Sequence, residues 1–341
     1  MTATTYAADE LLASVDVAEP LVAGGVRCHG GFLSDGTYVS PRTKHRVPAI
    51  AAWQQAHRAA FGTDLLDVGL DTWPPSYPNV AQSRLLLDHG VRDPIVSTLT
   101  RIGTVEGFGA MIRMSVIPDL ERCFDESIDG TAMAHLPALY EAHARDEAGF
   151  DGEGGHRQMW FAARDIAFEH PVTEDETERM LERIGITAPG GGPGPSAAPP
   201  LLFDDLDPNL ELLVTRMVRL LLIEISAFHT FAWAEDLLVD DGRVAGEGEA
   251  ARLVSYIRAD ETPHVEYLKT VLSEMRDRTF VTAGGRRPGT DVIATIWDRS
   301  LADSVGARRR QAVQQFDDEV ARAVDGRADA ADLLAEFHRL G

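Results

Sequence analysis

From Asp93 onward, apolar residues recur at three- and four-residue spacing, the period of helices that bury one face. Four long helices are expected, over 94–124, 132–169, 208–239 and 247–278. The run ESIDG at 126–130 separates the first two. His170-Pro171 closes the second, because proline disfavours helix in the residue before it. A short acidic helix is expected over 173–184, stopped by Gly185, followed by a proline- and glycine-rich linker at 187–200. Residues 289–341 carry two or three more amphipathic helices, and no pair of alternating strands is expected after residue 90. One local conflict stands out. Gly149, Gly152, Gly154 and Gly155 lie inside the second stretch, and each costs a helix up to ~1 kcal/mol relative to alanine.

Residues 1–92 differ in texture: glycine and proline are frequent, and only 49–61 reads clearly as helix. The organisation expected is all-α. An irregular extension over 1–92 packs on a helical bundle over 93–278, and helices of the same domain follow over 279–341.

Apolar residues make up 44% of the 341 and charged residues 25%, enough for a real core. Thirty-two basic against 54 acidic side chains give a net charge of −22, which repels phosphate backbones and anionic lipid. Nucleic acid and membrane are therefore not expected partners. Two cysteines, Cys28 and Cys123, cannot build a disulfide scaffold or a cysteine zinc site. The N-terminal residues lack the basic start and apolar core of a signal peptide, so a cytoplasmic location is expected. The most apolar stretch, 220–234, is short and contains Glu224.

That glutamate belongs to a set. Bundle metal sites take one Glu from each of two helices and Glu-x-x-His from each of the other two, the three-residue step placing both side chains on one face. In order, the chain carries Glu106, Glu153-Gly-Gly-His156, Glu224 and Glu261-Thr-Pro-His264. Glu106 and Glu224 sit in apolar runs, where an ionised carboxylate is costly unless a cation compensates it. Asp129-Gly130 lies halfway between Glu106 and Glu153, and Asp241-Gly242 halfway between Glu224 and Glu261. Both are turn signals, as facing residues of two helix hairpins require. The 187–200 linker falls where a long crossover belongs. EGGH at 153–156 also reads as a loop, and Glu147 or His143 can then replace Glu153. Pro263 frees a carbonyl one turn earlier in the fourth helix, a kind of break common at functional sites.

At these residues the chain resembles the ferritin-like di-iron carboxylate superfamily over 93–278. The resemblance implies Glu106 and Glu224 as single carboxylate ligands, and Glu153 with His156 and Glu261 with His264 as paired ones. Glu153 and Glu261 would bridge. It also implies two iron ions (or a Mn/Fe pair), O2 as co-substrate, a small-molecule substrate and an external electron donor or reductase. The reaction expected is hydroxylation, N-oxygenation or desaturation in a biosynthetic pathway. A homodimer is compatible with all of this. The alternatives are a ribonucleotide-reductase-like Mn/Fe ligand-binding oxidase and a non-catalytic, ferritin-like iron-handling protein. Where aminoarene N-oxygenases carry a further His, one turn before the last Glu-x-x-His, this chain has Ile257. Tyr140 and Tyr267 lie on helices of the set. Four carboxylates would balance two divalent ions, and the oxygen and imidazole donors suit Fe(II) or Mn(II).

Further residues are candidates for substrate contact or support. Ala110, Trp160, Phe228 and Leu268 lie one turn from ligands, as a cavity wall or as plain core. Gly107, Gly109, Gly154 and Gly155 would leave room near the metals. Arg113 would hold a substrate carboxylate or pair with a buried aspartate such as Asp165 or Asp260, and His229 would be a supporting donor or a satisfied core residue. The chain has no GxSxG elbow, no GxxxxGK[ST] loop and no convincing strand–GxGxxG–helix unit.

Overall fold

The computed structural model describes residues 6–67, 69, 71, 73–169, 179 and 200–341, and these are mostly helical. The expected acidic helix at 173–184 lies outside the described residues except for Arg179. The stop at His170-Pro171 lies outside them too, as does the 187–200 linker except for Pro200.

The described residues up to 92 are more ordered than the texture of that region suggests. Strands β1 (Glu19–Ala23), β2 (Val26–Phe32) and β3 (Tyr38–Val39) form an antiparallel sheet in sequence order. Helix α1 (Arg46–Phe61) begins earlier than the apolar pattern indicates, and α2 (Val80–Asp88) starts on an Asn79–Gln82 capping box. Strand β2 does not end its pairing in the sheet. Gly154 N–H donates to the Arg27 carbonyl at 2.8 Å, and His29 N–H to the Gly154 carbonyl at 2.9 Å. The sheet is thereby tied to the glycine-rich segment beside the expected ligands.

Helix α3 (Asp93–Gly109) ends well short of 124, tightening into a 3-10 turn at Ala110–Met114. The expected second helix is two helices, α4 (Leu136–Ala148) and α5 (His156–Phe168). The glycines explain the break. Gly149 and Gly152 take positive φ values of 84° and 83°. A Cβ on Gly155 would lie 2.6 Å from the Asp146 carbonyl oxygen and 2.7 Å from that of Glu147. The loop folds tightly back on the end of α4, so α5 starts beside the residues at which α4 stops.

Helices α6 (Pro208–Leu238) and α7 (Glu249–Arg276) follow the expected spans closely and pack lengthwise together. The Asp207 carboxylate caps α6, accepting from the Asn209 and Leu210 amides. Helix α7 continues through Pro263. A two-stranded hairpin, β4 (Thr279–Thr282) and β5 (Gly285–Pro288), overturns the expectation of no strand pair after residue 90; its two-residue turn is Ala283-Gly284. Helices α8 (Gly289–Ala302), α9 (Arg309–Val324) and α10 (Ala330–Arg339) complete the chain, with a π-helical stretch at Asp303–Arg308 joining α8 to α9.

Helix α7 also packs on α5, and α5 on α3. The apolar core falls into two clusters. One gathers α4, the first half of α6 and the second half of α7; the other gathers α3, α5, the second half of α6 and the first half of α7. Between them lies a layer of buried charged side chains.

Candidate metal centre

Seven side chains converge in that layer: Glu106 from α3, His143 and Glu147 from α4, His156 from α5, Glu224 from α6, and Glu261 and His264 from α7. Two donor groups, each with ligand atoms within 4.8 Å of one another, share Glu147. One is Glu106, Glu147, His156 and Glu261; the other is His143, Glu147, Glu224 and His264.

The oxygens of Glu261 divide between the groups. Oε1 lies 2.9 Å from His156 Nδ1, and Oε2 lies 2.6 Å from His264 Nδ1. Glu147 divides likewise: Oε1 is 3.2 Å from His143 Nε2 and 3.5 Å from His264 Nδ1, while Oε2 is 3.7 Å from His156 Nδ1. Each of these carboxylates thus turns one oxygen toward His156 and the other toward the His143–His264 side. Glu106 stands on the His156 side at 3.6 Å, and Glu224 on the His143 side at 3.3 Å.

Each imidazole turns one nitrogen to the carboxylates and the other to a supporting polar group. His264 Nε2 lies 2.9 Å from Asp146 Oδ2, and His156 Nε2 lies 3.4 Å from Asp260 Oδ2. His143 Nδ1 is 3.0 Å from the Tyr267 hydroxyl. Such partners fix the tautomer and leave the inner nitrogen's lone pair free for a metal. The supports are themselves held. Asp146 is clamped by Arg42 at 2.6 Å and Arg46 at 2.7 Å, and despite burial these guanidiniums keep its carboxyl well below the usual range. Asp260 accepts from the Tyr38 hydroxyl at 2.9 Å and faces His29 at 3.7 Å. The N-terminal sheet and α1 thus supply the outer layer of the site.

Without a cation the centre is electrostatically unbalanced. Burial, then Glu106 and Glu261, push the Glu147 carboxyl well above its usual range. Burial and Glu261 push Glu224 up to about 7, and burial and His264 push His143 down to about 4. His156 moves up although burial opposes it, because Glu261 and Glu147 favour its cation. Glu147 Oε2 and His156 Nδ1 are buried without a hydrogen-bond partner. Buried polar atoms of this kind call for an explanation, and a divalent cation between them provides one. Four carboxylates and three imidazoles fit two divalent ions in charge and in donor type; no thiol takes part.

Of the six ligands expected from sequence, five meet here. Glu153 does not: it sits in the loop between α4 and α5, 37% exposed, paired with Arg27 at 3.0 Å. Glu147 takes its place, and His143 adds a third imidazole from α4, while position 257 is a buried isoleucine. His143 and Glu147, four apart on one helical face, carried a readable signal. Asp146, Arg42, Arg46, Tyr38 and His29 did not, since their roles depend on long-range folding.

The secondary candidates fare unevenly. Arg113 pairs with Glu141 at 3.2 Å, not with Asp165 or Asp260. Trp160 is buried and stacked on Phe231, which the half-buried Phe228 meets edge-on, and Leu268 is buried among the first cluster. The glycines near the ligands do not leave open room. A Cβ on Gly109 would collide with the Glu147 side chain, one on Gly107 would meet Arg157 Cδ at 2.7 Å, and Gly154 is paired with Cys28. His229 lies half-buried on α6, outside both donor groups, and lines a cavity. No described helix is long and apolar enough to cross a membrane.

No family description, curated protein or solved structure matches the chain.

Proposed function

We propose that this protein is a non-haem di-iron enzyme that uses O2 to oxidise a small organic molecule. The observation that carries the reading is the paired arrangement of Glu147 and Glu261, each spreading its two oxygens between two imidazole-bearing groups. A single structural cation would need only one such group. When bound, a pair of iron ions supplies the reduction of O2 and the oxidising power for a C–H or N–H bond; an external donor returns the electrons.

The chain's own residues do the rest. Asp146 and Tyr267 hydrogen-bond the outer nitrogens of His264 and His143, and Asp260 faces the outer nitrogen of His156 at 3.4 Å. The two flanking apolar clusters exclude bulk water, which strengthens every charge interaction inside and protects reactive species. Arg42 and Arg46 more than offset the charge of Asp146, so its carboxylate is not needed to balance the metals. The superfamily resemblance supports the same reaction class, with hydroxylation, N-oxygenation and desaturation as its members.

The test is O2 consumption by the Fe(II)-loaded chain. Uptake that follows iron content and disappears in Glu261→Ala supports the reading. Iron binding with no reaction toward O2 would replace it with iron handling.

A further inference from the structure

A cavity of about 370 Å³ lies between α3 and α6, roofed by the Trp73–Pro78 segment and by the π-helical stretch leading into α9. Its volume falls at the lower end of small-molecule sites, roughly 300–1,000 Å³. Two features define its chemistry. The walls are aromatic and apolar, with Trp73, Tyr77 and Trp233 among them. The charges are of one sign: Arg219, Arg308 and Arg309 line it, and no aspartate or glutamate does among the described residues. In a chain of net charge −22 that is a strong local reversal.

The arginines are not equally engaged. Arg308 bonds Asp303 at 2.7 Å, and Arg309 donates to the Pro75 carbonyl at 2.8 Å. Arg219 Nε is buried with no hydrogen-bond partner. Nε itself has no surface open to a ligand; a planar oxyanion in the cavity would meet the terminal nitrogens of this guanidinium, which make no hydrogen bond or ion pair among the described residues.

The cavity's position relates it to the metal centre. Ile102 on its wall precedes Glu106 by one turn of α3, and Leu222 and Ile223 adjoin Glu224 on α6. Those two glutamates are the most exposed ligands, with 12% and 7% of their side chains accessible against 4% or less for the others. The centre is thus most accessible at its α3 and α6 ligands, the two helices that flank the cavity.

We propose that this cavity binds a small aromatic carboxylate, its anion on Arg219 and its ring among Trp73, Tyr77 and Trp233. As a binding site it stands alone; as the substrate site, it rests on the di-iron reading above.

Calorimetric titration of the full chain, metal-free and Fe(II)-loaded under anaerobic conditions, tests it. The probes are benzoate, 2-naphthoate and indole-3-acetate, each beside its neutral alcohol. The expected result is at least one carboxylate binding tenfold or more tightly than its alcohol, with or without metal. That preference disappears in Arg219→Gln, and binding disappears in Ser226→Trp, which fills the cavity, while both variants keep the wild-type helical circular dichroism. Carboxylates that bind no better than the alcohols, or that bind Arg219→Gln unchanged, overturn the proposal. Binding that needs metal and ignores Arg219 would place the carboxylate on the metals, leaving the di-iron reading intact and this inference wrong. Carboxylate binding in a chain that takes up no metal would do the reverse.

Discussion

His143 and His264 stack face to face, their ring centroids 3.7 Å apart and their planes 6° from parallel. Two imidazolium cations would repel at that distance, and burial with His264 nearby pushes His143 down to about 4. At neutral pH, His143 therefore keeps a lone pair on one ring nitrogen. With Nδ1–H donating to the Tyr267 hydroxyl, that lone pair is on Nε2, which faces Glu147 and Glu224; both carboxyls are raised, so the proton they hold there is the one a cation would displace. Lone pairs and carboxylates that converge in this way favour a cation.

Tyr267→Phe removes the partner of Nδ1 and changes little else in shape. Loss of such a support typically costs 10–100-fold in metal affinity. The expected outcome is weaker metal binding by titration, with the fold intact by circular dichroism.

Replacing Glu147 and Glu153 separates the two glutamates offered by the sequence. Glu147→Ala is expected to abolish two-metal binding. Glu153→Ala removes only an exposed pair with Arg27, worth about 0–1 kcal/mol, and should load like wild type. Metal analysis of the two purified variants decides the matter.

The fold was legible where one helical face repeats, and illegible where glycines bend the chain. Helices α6 and α7 could be read to within two residues at each end, because their apolar stripes are long. The four glycines of 149–155 signalled a conflict and EGGH offered a loop, which the positive φ of Gly149 and Gly152 and the close backbone contacts of Gly149 and Gly155 establish. That loop also explains the misplaced ligand. Reading 132–169 as one helix puts Glu153 one turn before His156; breaking it lets α4 deliver Glu147 instead. The N-terminal contribution was unreadable because Tyr38, Arg42 and Arg46 meet α4 and α7 only through tertiary packing.

Gly109 provides a test of crowding at the bridging position. Gly109→Ala places a methyl group against the Glu147 side chain and should reduce metal loading. Gly107→Ala meets only the flexible stem of Arg157, so its loading should match wild type. Comparing the two in one metal assay controls for the general effect of a helix alanine.

Metal uptake should strengthen as pH rises from 6 to 8. Glu224, pushed up to about 7, and Glu147, pushed well above its usual range, must lose protons to bind metal, so uptake releases protons. The metal-free chain shows the opposite sign in stability. A carboxyl raised on folding holds its proton more tightly in the folded state, so stability falls as pH climbs from the ordinary carboxylate value through 7. His143, lowered on folding, opposes this between about 4 and its ordinary value. Above pH 6.5 His156, raised on folding, acts in the same direction as the carboxylates. Thermal unfolding from pH 6.5 to 8 should thus show a falling midpoint without metal and a flat or rising one with it.

The central claim is a two-metal centre, and metal content per chain after anaerobic Fe(II) loading tests it most directly, for wild type beside Glu261→Ala and Glu224→Ala. The account predicts about two irons in wild type, loss of both in Glu261→Ala because its two oxygens face His156 of one group and His264 of the other, and loss of at least one in Glu224→Ala. Wild type that retains no iron, or a Glu261→Ala chain that loads like wild type, would contradict it.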